Sequence, residues 1–115
     1  LVGLHPDLQR LVIEVARITT IPFRVLEGTR TVARQRELVK KGASKTMNSR
    51  HLTGHAVDLA PLNGKTVSWD WPLYHTLAQV MKRAALDLAI PLTWGGDWQM
   101  RDGPHFELPR REYPA

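Results

Sequence analysis

Apolar residues recur three and four apart from about Pro6 to Thr19, with Leu8, Leu11, Val12 and Val15 on one side and Arg10, Glu14 and Arg17 elsewhere. That period predicts an amphipathic helix, and its first turn tolerates proline because the missing N–H has no intrahelical partner there. After Pro22, Phe23 to Glu27 reads as a short strand broken by Gly28. A second helix is expected from about Thr31 to Lys41, closed by Gly42. Residues 43 to 53, ASKTMNSRHLT, carry neither period and read as a polar loop. HAVDLAP then alternates as a strand does, with Ala56 and Asp58 on one face and Val57 and Leu59 on the other, so one face should be buried and the other available for chemistry.

Beyond a turn at Asn63 and Gly64, Asp70 is placed to cap a third helix whose stripe is Leu77, Val80, Met81, Ala84 and Leu88, ending before Pro91. Trp94 to Trp98 reads as a glycine-containing turn, and PHFEL as a closing strand with His105 and Glu107 opposite Phe106 and Leu108. No repeat, linker or low-complexity stretch divides the 115 residues, which fit one catalytic domain spanning 1–115.

Composition narrows the chemistry. With no cysteine, disulfides, thiolate metal sites and cysteine nucleophiles are excluded, and any metal must be held by imidazole and carboxylate. A net charge of +5 and a pI near 10.1 favour attraction to a polyanion, whether nucleic acid, anionic lipid or an anionic cell envelope. The basic residues are scattered through Arg30 to Arg50, Lys82, Arg83, Arg110 and Arg111, without interleaved aromatics, as an ordinary solvated surface would have them and not as a base-stacking one. No apolar run approaches the roughly 20 residues that span a bilayer, so no membrane insertion is expected. The first residues, LVGLHPDLQR, lack the pattern of a secretory signal.

Three of the five histidines lie in two polar, glycine-containing neighbourhoods with aspartates: SRHLTGHAVD, which holds His51 and His55, and DGPH around His105. A catalytic zinc site needs about three protein ligands and an open position, and His51, Asp58 and His105, from a loop and two strands, are suitable donors that can converge. The rival is a helical pair, His51 and His55. Gly54 between them, the lack of a glutamate after His51 and the strand alternation from Ala56 argue against a shared helical face. His5 and His75 lie outside both neighbourhoods and read as structural.

Ser49, His51, Gly54, Ala56 and Asp58 reproduce an SxHxxGxAxD motif, and Asp102 with His105 an acidic-x-x-His motif. Together they resemble the zinc peptidoglycan peptidases that include D-alanyl-D-alanine carboxypeptidases, VanX-like dipeptidases and phage L-alanyl-D-glutamate endopeptidases. Motif order, the EGTRTVARQ segment and the final PHFEL make the chain most similar to single-domain endolysins of phages that infect Gram-negative bacteria, from HPDL at 5 to 8 through Leu108. The resemblance implies an α+β fold, a small antiparallel sheet with helices packed mainly on one side. It implies His51, Asp58 and His105 as zinc ligands, Asp102 as the general base for the attacking water, and Arg30 as a group stabilising the oxyanion. The alternative for Arg30 is a solvated ion pair at a helix start.

Around that set, Ser49 orients His51, touches substrate or simply caps a turn. Glu107 is an alternative base or, better, a carboxylate orienting a ligating imidazole. Trp94, Asp97 and Trp98 form a candidate wall for a sugar or peptide stem, although tryptophans in a small domain are usually core. The expected activity is hydrolysis of the L-alanyl-D-glutamate bond in peptidoglycan peptide stems by a monomer with Zn2+ as cofactor. It would accumulate in the host cytoplasm and reach the wall after inner-membrane breach. A D-alanyl-D-alanine carboxypeptidase is the enzymatic alternative. A zinc-binding module without activity and a basic nucleic-acid binder are the others; the retained Asp102 counts against the former, and the absence of a nucleic-acid motif against the latter.

Overall fold

The structure is a computed structural model in which residues 3–28, 31–42 and 49–114 are described. Its elements run α1 (Pro6–Ile18), β1 (Phe23–Glu27), α2 (Val32–Lys40), β2 (Ala56–Asn63), β3 (Thr66–Val67), α3 (Trp71–Asp87), β4 (Thr93–Trp94), a single 3-10 turn (Gly95–Asp97) and β5 (His105–Glu107). The sheet is antiparallel in the order β1-β2-β5-β4, with β3 paired to β2. This is the expected α+β architecture.

α1 buries Leu8, Leu11, Val12 and Val15 as its period requires, and α3 buries Tyr74, Leu77, Ala78, Met81, Ala84 and Ala85. The α3 stripe therefore lies closer to its start than the sequence suggests: Val80 and Leu88 are only partly buried, and Tyr74 joins the core. Both helices pack with Val57, Leu59, Phe106 and Leu108 in one apolar cluster. His5 caps α1, its Nδ1 accepting from the Asp7 N–H at 3.1 Å, and Thr31 caps α2 through its hydroxyl. Asp70 precedes α3 without a side-chain cap.

β2 departs from the simple two-faced strand. Ala56 and Ala60, on the Asp58 side, are as fully buried as Val57 and Leu59 on the other. The strand is central, flanked by β1 and β5, and its small side chains leave only Asp58 partly open on that stretch. The register with β1 slips between Val25 and Glu27, an extra residue in the edge strand directly beside Asp58.

Gly54 sits at φ +77°, and a Cβ there would lie 2.1 Å from the Gly3 carbonyl oxygen. The same glycine's carbonyl accepts from His5 N at 2.8 Å, so the N-terminal segment is latched directly onto the motif loop. Gly54→Ala is therefore expected to destabilise the fold by roughly 2 kcal/mol or more, combining left-handed backbone strain with a displaced backbone contact. Calorimetric unfolding checks this, and a thermal midpoint equal to wild type would refute the latch.

Candidate metal centre

Asp58 and His105 face each other across the β2–β5 ladder, and His51 arrives from the turn before β2. Asp58 Oδ1 lies 3.2 Å from His51 Nε2 and 3.3 Å from His105 Nδ1. One ligand atom from each of the three residues falls within 4.8 Å of the other two.

Each ring is held from behind. His51 Nδ1 sits 3.0 Å from the Gly28 carbonyl oxygen, which only accepts, so this nitrogen carries the proton and Nε2 presents its lone pair to the cluster. Gly28 follows the β1 irregularity, which brings that carbonyl into reach. His105 Nε2 lies 2.7 Å from Glu107 Oε1 and donates to it, leaving Nδ1 for the cluster. Partners of this kind fix the tautomer and orientation of metal-ligating imidazoles. Ser49 Oγ accepts from His51 N at 3.2 Å and shapes the turn that delivers the ring.

Asp58 Oδ1 is buried without a well-directed hydrogen bond, despite the two nearby nitrogens. Buried polar atoms normally have partners. A carboxylate oxygen and two imidazole lone pairs converging on one point, with no thiol present, are a donor set suited to a divalent metal such as zinc.

Burial works to raise the Asp58 pKa, but His105 and His51 outweigh it and hold the carboxyl far below its ordinary range. For His105, burial works downward, while Asp58 and Glu107 prevail and push the imidazole up to about 9 from an ordinary 6.5. The raised value means that this charge stabilises the metal-free fold fully below pH about 6.5 and that the contribution is lost as pH rises through about 9. A metal must displace that proton. Metal uptake at pH 7 is thus expected to release about one proton, with affinity strengthening up to tenfold per pH unit until about pH 9. Titration calorimetry in buffers of different ionisation enthalpy measures the release, and a buffer-independent heat would contradict it.

Asp102 is exposed in the turn leading into β5, where its N–H donates to Gly95 O at 2.9 Å and its carbonyl accepts from His105 N at 3.2 Å. A Cβ on Gly95 would meet Asp102 O at 2.5 Å and His105 Cβ at 3.0 Å, so glycine there lets the aspartate turn close against the strand that carries His105. Arg30 lies outside the described residues.

The aromatic wall changes membership. Trp94 is core, 3% exposed, its indole N–H donating to Gly103 O at 2.7 Å, so it anchors the Asp102 turn and does not face substrate. Asp97 is exposed and pairs with Lys82 at 2.7 Å. Trp98 is 39% exposed, with its ring centroid 4.9 Å from that of His105, and of the three it is the one beside the His51–Asp58–His105 group. His55 bonds to Thr53 Oγ1 and packs beside His5 and Tyr113, apart from the three-residue group.

Arg50 is a residue that the scattered-charge reading misplaces: it is buried, and its guanidinium donates to the carbonyls of Leu108 and Tyr113, both at 2.7 Å. It fastens the C-terminal segment beneath the motif loop. Its position between Ser49 and His51 was the only signal, and charge patterning cannot distinguish a buried arginine from a solvated one.

An α+β fold with two imidazoles and a carboxylate gathered on neighbouring strands, each imidazole braced by an acceptor, defines a candidate metallohydrolase. A model of the phage L-alanyl-D-glutamate peptidase family matches residues 1–113, and the chain belongs to that family. It is 30% identical to the L-alanyl-D-glutamate peptidase of Escherichia phage T5 over 118 aligned positions, covering 98% of this chain and 85% of the relative. With the Listeria phage A118 enzyme of the same name it shares 37% identity over 94 positions, covering 81% of this chain and 32% of that longer protein. Among solved structures, the Serratia marcescens L-Ala D-Glu endopeptidase ChiX superposes with a TM-score of 0.94 at 49% identity, covering 98% of this chain and 86% of its own. The vancomycin-resistance D,D-dipeptidase VanXYg shares the fold alone, with a TM-score of 0.53 at 20% identity, covering 89% of this chain and 47% of its own.

Proposed function

We propose that the chain is a zinc-dependent endopeptidase that hydrolyses the L-alanyl-D-glutamate bond of peptidoglycan stems during phage-induced lysis. The observation that carries the metal part of this reading is the buried Asp58 oxygen set between two imidazoles whose outer nitrogens are occupied by Gly28 and Glu107. The choice of bond is supported by family membership and by the ChiX likeness over nearly the whole chain.

His51 Nε2, His105 Nδ1 and Asp58 would hold the ion. Zinc in such a site supplies Lewis-acid polarisation of the scissile carbonyl and acidifies water. The chain's own part is proton handling and orientation. Asp102, exposed beside His105, takes the proton of the attacking water and returns it to the departing amine of D-glutamate. Glu107 keeps the His105 ring in place through its Nε2–H, Ser49 sets the turn carrying His51, and Arg30 stabilises the oxyanion by its charge. No helix among the described residues is long and apolar enough to cross a membrane. The proposed course is accumulation in the host cytoplasm and action on the wall once the inner membrane is breached.

Digestion of purified peptidoglycan by the zinc-loaded protein, followed by mass spectrometry of the new termini, tests the reading. Fragments beginning with D-glutamate are expected, and release of D-alanine alone would replace it with a carboxypeptidase.

A further inference from the structure

We propose that the exposed ring of Trp69, backed by the buried Tyr74 and neighboured by Trp71 and Arg101, forms a saccharide-binding platform that holds the glycan strand of the substrate beside the site of cleavage; this rests on the endopeptidase reading above. Trp69 is 69% exposed although large aromatic rings gain most from burial. Its placement is fixed. Ser68 N donates to Pro61 O at 2.9 Å, Asp70 N donates to Ser68 Oγ at 3.2 Å, and α3 starts two residues after Trp69. One face of the indole stacks on Tyr74, at 6.3 Å between centroids and 21° between planes.

Tyr74 in turn packs against Trp71, and the Arg101 guanidinium lies 4.6 Å over the Trp71 ring. The platform is joined to the metal centre by a single loop. Residues 96–101 leave Gly95 and return to it through the Asp102 N–H. Near its start the loop sets Trp98 on His105, and at its end it sets Arg101 on Trp71. Gly103, next to the proposed base, rests directly on Trp71 and Tyr74, where a Cβ would come within 2.7 Å and 3.2 Å.

The outward indole face of Trp69, held in place from behind by Tyr74 and with the Arg101 cation on the neighbouring Trp71, suits the C–H face of a pyranose ring whose substituents carry carbonyl and carboxyl oxygens. The substrate's own chemistry agrees: in the stem, L-alanine is the residue attached to the lactyl ether of the amino sugar. Cleavage after it leaves the sugar one residue from the scissile bond, on the acyl side.

Trp69→Ala separates this platform from the catalytic group, because the ring is exposed and the change should leave folding and metal content intact. Binding is measured by sedimentation with peptide-free glycan strands, using the zinc-loaded protein. Affinity is expected to fall roughly tenfold in Trp69→Ala and to persist in Trp69→Phe. In parallel, kcat/KM on glycan-linked stems should fall about tenfold, while on a sugar-free stem peptide it should stay within about twofold of wild type. Equal glycan binding by wild type and Trp69→Ala, equal losses on both substrates, or a Trp69-dependent affinity for lipid vesicles in place of glycan would each overturn the platform. If the wild-type protein cleaves neither substrate, the endopeptidase reading fails, and the sedimentation arm still decides whether the platform binds sugar.

Discussion

Asp58→Ala is expected to lose nearly all bound zinc and, with it, activity to below about one part in 10³ of wild type. Replacing even an outer partner of a metal ligand typically costs 10- to 100-fold in affinity, so removing the central carboxylate should cost more. Asp58 Oδ1 is the atom that both imidazoles approach, at 3.2 Å and 3.3 Å, and without it His51 and His105 retain no shared anionic donor. His51→Ala and His105→Ala should behave alike. Glu107→Gln, which leaves His105 in place but weakens its brace, should lose affinity by roughly 10- to 100-fold and regain activity with added zinc. His55→Ala should retain both metal and turnover, since its ring is engaged with Thr53, His5 and Tyr113. Metal content by plasma mass spectrometry, read beside turnover, decides the matter: stoichiometric zinc in Asp58→Ala, or zinc loss in His55→Ala, would require a different ligand set.

Asp102→Asn should reduce turnover by roughly 10²-fold or more while zinc content and thermal midpoint remain near wild type, the loss typical of removing a positioned general base. The amide keeps the shape of the side chain and cannot accept a proton. Because the Asp102 backbone, through Gly95 O and His105 N, closes the turn, the substitution leaves the scaffold in place and isolates the carboxylate. Glu107→Gln is the matched comparison, since Glu107 already accepts from His105 and is committed to orienting it. A zinc-replete Glu107→Gln that is inactive beside an active Asp102→Asn would move the base to the strand. Loss of zinc from Asp102→Asn would place Asp102 in the metal shell.

Asp58, His105 and Asp102 stand out in the amino-acid sequence itself. The α1 stripe, the β1 limits at Phe23 and Glu27 and the strands around Asp58 and His105 follow from local periodicity and from proline and glycine, whose effects act within a few residues. The candidate metal-holding group His51, Asp58 and His105 was legible for a related reason. Histidines and aspartates in glycine-rich segments of a cysteine-free chain leave few metal-ligand sets, and two short motifs with fixed internal spacing narrow them further.

What local pattern could not supply was everything that depends on residues distant in the chain. Trp94 and Trp98 are four apart in one polar, glycine-containing stretch, yet one is buried against Phe106 and the other lies on His105, because the 3-10 turn between them reverses the chain. Arg50 has the composition of a surface residue and becomes buried only because the carbonyls of Leu108 and Tyr113, 58 and 63 positions away, come to meet it. Ala56 and Ala60 are as buried as Val57 and Leu59 although alternation puts them on the face that carries Asp58, a closure set by what packs over the strand and not by its own pattern. The Gly28 carbonyl that orients His51 comes from 23 residues upstream. Sequence by itself determined which side chains could do chemistry and which short segments carry them. Tertiary structure alone decided which ring nitrogen faces the site, which aromatic faces water and which arginine is structural, since each is set by burial and by hydrogen-bond partners that only long-range packing brings together.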